Sequence, residues 1–171
     1  MQSARPLIRL VLLTLAAVLS LSGMTLAAAS SLTAASGTFT ITSANLANPR
    51  SAGGNTIFDL TATETWTGTF NGTSIVQGTL IFHPDGSANF HDTDTFTGTV
   101  NGVAGSVTFN LAGTGVPGTT PGSFIYQDKH VITSGTGDLA NLHGVLTLVG
   151  SVPTTAAGPV ANYTGQIHSN P

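Results

Sequence analysis

The sequence predicts an all-β protein: a small closed antiparallel barrel of about eight strands, preceded by a signal peptide. Three observations carry this. Beyond residue 29 the chain falls into runs that alternate apolar and polar residues, separated by Asn-Pro, Gly-Gly, Pro-Asp-Gly and Asn-Gly turn signals. Thr and Gly are heavily used, the first suited to strands and the second to turns. Charged residues make up only 6% of the chain, far below the ~25% of ordinary soluble domains. With 40% hydrophobic residues the chain is no disordered polymer, so Thr, Ser, Asn and Gly must cover its surface. Open sheet edges on so weakly charged a surface would invite aggregation, which favours closure over the alternative, a β-sandwich.

The 171 residues suffice for one domain. Residues 1–29 read as a signal peptide: Arg5 and Arg9 form the positive start, Leu10 to Leu21 the apolar centre, and Ala27-Ala28-Ala29 the small residues before a cut near Ser30. The alternative is an uncleaved anchor, since Leu10 to Ala29 carries no charge. Export to the cell envelope or medium follows from cleavage, with no membrane anchor left. Residues 30–171 form the barrel domain. There is no Cys, which removes disulfides, thiolate metal sites and thiol nucleophiles together. Without the leader, Arg50 and Lys129 face all seven acids. So acidic a remainder does not bind nucleic acid through a basic patch. Nothing in the sequence specifies an oligomeric state.

Ser36 to Ser43 alternates as a first strand, and Ala44 to Gly54 reads as a loop. Asn55 to Thr67 sets Phe58, Leu60, Ala62, Glu64 and Trp66 on one face; Ser74 to Phe82 aligns Val76, Leu80 and Phe82. His83-Pro84-Asp85-Gly86 is a turn, because Pro84 presets φ and Gly86 closes it. Ser87 to Thr97 follows, with Phe90, Asp92, Asp94 and Phe96 on one face. Asn101-Gly102 is the strongest hairpin signal and leads into Val103–Ala112. Gly113 to Gly122 reads as a loop. Ser123 to Thr133 carries Phe124, Tyr126, Asp128, His130 and Ile132 together. Ser134 to Gly144 reads as a glycine turn and one short helical turn: Gly135 and Gly137 permit positive φ or close approach, Asp138 is an N-cap, and Leu139 and Leu142 share an apolar face. No Lys follows and no long helix opens, so this is a structural corner and not a phosphate loop. Strands Val145–Val152 and Val160–His168 complete the chain. Phe58, Leu60, Trp66, Leu80, Phe82, Phe90, Phe96, Phe109 and Leu139 are the expected core.

Four motifs occur in order: His83-Pro84-Asp85-Gly86-Ser87-Ala88-Asn89-Phe90, then Phe96 to Val100, Gly105 to Phe109, and Ser134 to Gly144. With Ala35-Ser36-Gly37-Thr38-Phe39 they resemble the bacterial domain-of-unknown-function family 3224, over roughly residues 35–168. His83 stands where that family usually has Arg, and Asn141 where it usually has Gly. The family in turn resembles allene oxide cyclase-type barrels, a group that includes plant dirigent proteins. The resemblance implies an eight-stranded barrel and no established activity.

Glu64, Asp92 and Asp94 share faces with Phe, Leu and Trp. If those faces line a barrel interior, burial raises the carboxyl pKa values and suits one of them to acid–base work; if they turn outward, or cap the barrel mouth, the acids are ordinary surface groups. Asp128 and His130, two apart on one strand, form either a base–orienter pair or a surface pair. Glu64, Trp66, Asp92, Asp94, Asp128 and His130 are therefore the candidate ligand-binding residues. Glu64 breaks an apolar face, so it reaches water at the mouth, pairs with Arg50 or Lys129, or sits inside as the polar group that orients a ligand. His91 and Asp92 point to opposite faces of a strand, so His91, Asp92 and Asp94 make a poor metal site. No metal or cofactor is expected, and His143 should be exposed. Three functions remain: binding of a small apolar molecule inside the barrel, cofactor-free isomerase or cyclase chemistry there, or an envelope or matrix role without a small ligand. A cavity of ligand size separates the first two from the third.

Overall fold

The computed structural model describes residues 31–152 and 160–170; the signal peptide expected over residues 1–29 lies outside the described residues. Eight strands run in chain order round a closed barrel, β1 Thr33–Ala52, β2 Asn55–Gly68, β3 Phe70–Phe82, β4 Ala88–Val100, β5 Val103–Pro117, β6 Phe124–Gly135, β7 Leu142–Val152 and β8 Val160–Ser169. Every neighbouring pair is antiparallel, and β8 closes the ring by pairing with β1, Ala35 opposite Gly165. Closure leaves no edge strand to template association, the physical advantage expected for a chain with so little charge. Threonines of β2, β3 and β4 such as Thr65, Thr73, Thr93 and Thr95 face outward, and cross-strand hydroxyl pairs such as Thr38–Thr67 at 2.8 Å lace the outer wall.

Two segments read as loops are strand. Ala44 to Ala52 continues β1, with register shifts at Ile41/Ser43 and Ala47/Arg50. The second shift skips Asn48 and Pro49, so the proline sits in a bulge where no ladder donor is needed, and Asn48 takes a φ of 51°. Only Gly53 and Gly54, with φ of 60° and 84°, form the turn. Likewise β5 runs on through Gly113 and Gly115 to Pro117. These glycines do not break the strand; they leave room for the rings of Phe90 and Phe124, which lie where their side chains would be. The expected hairpin turns are present: Asn101-Gly102 has both residues at positive φ, and the Gly86 amide donates to the His83 carbonyl at 2.9 Å. At the β6–β7 corner a single 3-10 turn spans Gly137–Leu139. Its N-cap is Thr136 and not Asp138, and the Thr136 hydroxyl is engaged across the corner by the Ser106 amide. Leu139 and Leu142 are buried as their spacing implied.

One end of the barrel is packed solid. Trp66 lies at the centre of the floor, stacked on Phe39 with centroids 5.2 Å apart and on Phe109 at 6.0 Å, and ringed by Phe70, Phe96 and Tyr163. Tyr163 ties β8 to the β2–β3 turn: its hydroxyl accepts from the Phe70 amide and donates to the Thr67 carbonyl. Of the expected core, Trp66, Phe90, Phe96, Phe109 and Leu139 are buried. Phe58, Leu60, Leu80 and Phe82 are only half-buried, a correction with a simple cause. The strand phase is right, but these residues stand near the opposite rim, where the barrel is open. Phe82 meets Phe58 and Phe124 edge-on there.

Candidate functional site

Above the packed floor the interior turns polar. β2 contributes Glu64, β3 Ser74, β4 Asp92 and Asp94, and β6 Asp128 and His130; all six are buried. Alternation places them there: each lies an even number of residues from a buried aromatic on its own strand, Trp66, Phe70, Phe90, Phe96 or Tyr126. The faces that carry the acids therefore do not turn outward, and Asp128 and His130 are no surface pair. Four of the seven acids of the whole chain are inside the barrel. Neither Arg50 nor Lys129 is: Arg50 pairs with Asp59 at 2.7 Å on the surface, and Lys129 faces outward. Of the three positions open to Glu64, this leaves the interior one.

His130 is held from both sides. Its Nδ1 lies 2.9 Å from Asp128 Oδ1 and its Nε2 3.6 Å from Asp94 Oδ2. The ring meets Trp66 and Phe109 edge-on. A second chain runs up from the floor: Trp66 Nε1 donates to Ser74 Oγ at 3.0 Å, and Ser74 Oγ donates to Glu64 Oε2 at 3.0 Å. Asp92 Oδ1, both Asp94 carboxylate oxygens and the Tyr126 hydroxyl are buried without a hydrogen-bond partner. Such groups are uncommon in a folded interior and call for an explanation.

The burial sets the charge states. Desolvation, with Asp94 nearby, pushes Glu64 up to about 8. Desolvation raises Asp92 to about 7, against the hydrogen bond from the Thr79 backbone. Burial alone would lower His130, but its bond to Asp128 and the nearby Asp94 carboxylate prevail and raise it to about 9. Burial raises the Tyr126 phenol as well.

A cavity of about 530 Å³ opens over this set. Leu60, Ala62, Val76, Leu80 and Leu111 are among its apolar walls, Phe82 and Phe124 stand toward its rim, and Glu64, Asp92, Asp128 and His130 supply its polar part. Trp66 and Asp94 do not line it; they lie behind, in contact with His130. The sequence reading thus named six residues, of which four reach the cavity directly. Ser74, which bridges Trp66 to Glu64, and Tyr126, which lines the cavity, were not among the candidates. Tyr126 was on the right face and could have been chosen on that ground; a lone Ser near a strand start carries no signal. His91 is outside and exposed, so it is parted from Asp92 and Asp94. Among the described residues no group of three His, Asp or Glu side chains is placed to hold a metal ion. His143 is exposed and stacks on His168.

Gly78 makes the placement of Asp92 possible. The two residues are register partners, and a Cβ on Gly78 would overlap Asp92 Oδ1 and the His91 carbonyl. Gly78→Ala should therefore destabilise the barrel by about 1–3 kcal/mol, measured by denaturant unfolding. An unchanged midpoint would mean that Asp92 is free to move away.

The fold and site define a small up-and-down antiparallel barrel, sealed at one end and acidic within. The chain belongs to the family described as protein of unknown function DUF3224, whose model matches residues 35–167. It is similar in structure to a DUF3224 protein of unknown function from Shewanella oneidensis MR-1, with a TM-score of 0.53 and 18% identity over 79% of this chain and 97% of that one. It is also similar to the pterocarpan synthase dirigent protein GePTS1, with a TM-score of 0.49 and 16% identity over 83% of this chain and 90% of that one. No curated protein matches the chain.

Proposed function

We propose that the chain is an exported barrel that binds a small, mainly apolar molecule in its open end. The observation that carries this is the cavity itself. Its volume of about 530 Å³ falls within the ~300–1,000 Å³ of small-molecule sites, and its walls are aliphatic and aromatic with a few convergent polar groups at one side. Export rests on the leader, Arg5 and Arg9 ahead of an apolar run that ends in Ala27-Ala28-Ala29. An envelope or matrix role without a small ligand is the less supported reading, since it needs no cavity.

Titration with the uncharged apolar dye Nile red tests the proposal. One saturable site is expected. Ala62→Phe, which puts a ring into the cavity from a wall position, should abolish it while the far-UV circular dichroism stays that of a β-protein. Absence of dye binding, or equal binding by Ala62→Phe, would overturn the reading. A second reading, a cofactor-free isomerase or cyclase, is favoured by one feature: the Asp128–His130 pair at 2.9 Å lines the same cavity and could move a proton on a bound molecule.

A further inference from the structure

The interior holds too many acceptors for its donors. Glu64, Asp92, Asp94 and Asp128 bring four carboxyl groups into one buried volume, and the charged or hydroxyl donors beside them are His130, Ser74 and Tyr126. His130 is bonded through Nδ1 to Asp128, and its Nε2, itself without a hydrogen-bond partner, is turned to Asp94 at 3.6 Å and not to Asp92. Ser74 gives its proton to Glu64 and accepts one from Trp66. That leaves Asp92. It is 7% exposed and lines the cavity, and its Oδ1, packed over Gly78, has no hydrogen-bond partner. Glu64, Asp128 and Tyr126 line the same cavity, and the buried Tyr126 hydroxyl has no hydrogen-bond partner.

We propose that the barrel's ligand carries a cationic amine as its polar head, which docks on Asp92 with Glu64 and Asp128 around it, while its apolar tail fills the walls toward Phe82 and Phe124. This rests on the reading of the cavity as a small-molecule site. An ammonium brings hydrogen-bond donors and no acceptor, the complement of what the cavity offers. It also adds positive charge to a volume in which His130 alone is set against four carboxyl groups. A carboxylate head would meet like charge and add further unpaired acceptors. A hydroxyl head would satisfy one oxygen and leave the charge imbalance standing.

The test is displacement of Nile red from the full-length exported protein at pH 7 by n-octylamine, n-octanol and octanoate, which share a tail and differ in the head. The amine should displace the dye at about tenfold lower concentration than the alcohol, and octanoate should be the weakest. Asp92→Asn should remove the amine's advantage over octanol when both are measured against the dye on that same variant. Should that variant fail to fold, the head-group series on the unmodified protein decides by itself. Equal or better displacement by octanol or octanoate overturns the amine assignment and leaves the binding site standing. Failure of the dye to bind overturns the binding site and the amine assignment together, and failure of all three compounds to displace bound dye overturns the amine assignment alone.

Discussion

Trp66→Ala should cost the barrel about 3–5 kcal/mol, read as a lowered midpoint in equilibrium unfolding followed by circular dichroism. The indole is fully buried and meets Phe39, Phe70, Phe96, Phe109, Tyr163 and His130 with centroids between 5.1 and 6.2 Å. It is the hub of the packed floor, so its removal takes away a large apolar surface and leaves a void that a rigid closed barrel cannot collapse to fill. The same change frees Ser74 from its donor, loosening the bond that orients Glu64. Phe58→Ala, at the half-buried rim, should cost clearly less. A loss under about 1 kcal/mol at Trp66 would mean that the floor is not packed as described.

Stability should fall as the pH rises from about 4 to about 9, the reverse of ordinary acid denaturation. Asp92, Glu64 and His130 have folded pKa values of about 7, 8 and 9, each above the group's ordinary value of 3.8, 4.5 and 6.5. A group raised on folding contributes stability that is fully present below its ordinary value and is lost as pH climbs through the folded one. The Asp92 contribution therefore fades between 3.8 and about 7, that of Glu64 between 4.5 and about 8, and that of His130 between 6.5 and about 9. Asp59 and Asp85 are lowered by surface hydrogen bonds and act in the opposite sense, but both are exposed and screened. Glu64→Gln isolates the largest acid contribution. The amide keeps the size and can still accept from Ser74, yet has no proton to lose. Near pH 4 the variant should match the parent; near pH 9 it should be more stable by about 2–4 kcal/mol. Superimposable stability–pH curves for the two proteins would show that Glu64 reaches water.

The strand count, the inward faces and the hairpin turns were legible because each depends on neighbours close in sequence. Alternation sets Glu64 with Trp66, Asp92 and Asp94 with Phe96, and Asp128 with His130, whatever the barrel around them does. Asn101-Gly102 and Pro84-Asp85-Gly86 fix their turns through their own φ preferences. The loop assignments failed where glycine and proline serve packing across the sheet: Pro49 rests in a bulge and Gly113 makes room for Phe90, and neither role is visible without the partner strand.

What the sequence determined by itself is therefore a strand-rich, cysteine-free chain of very low charge, with a polar group on several otherwise apolar faces and motifs that place it in its family. Only the tertiary structure decided that those faces meet. Closure of the barrel brings β2, β3, β4 and β6 round one axis, so Glu64, Ser74, Asp92, Asp94, Asp128 and His130, up to 66 positions apart, share one buried volume. It also decided that Trp66 and its neighbours fill one end and leave the other open. Filling depends on the summed volumes of side chains from different strands, and local periodicity does not encode that sum.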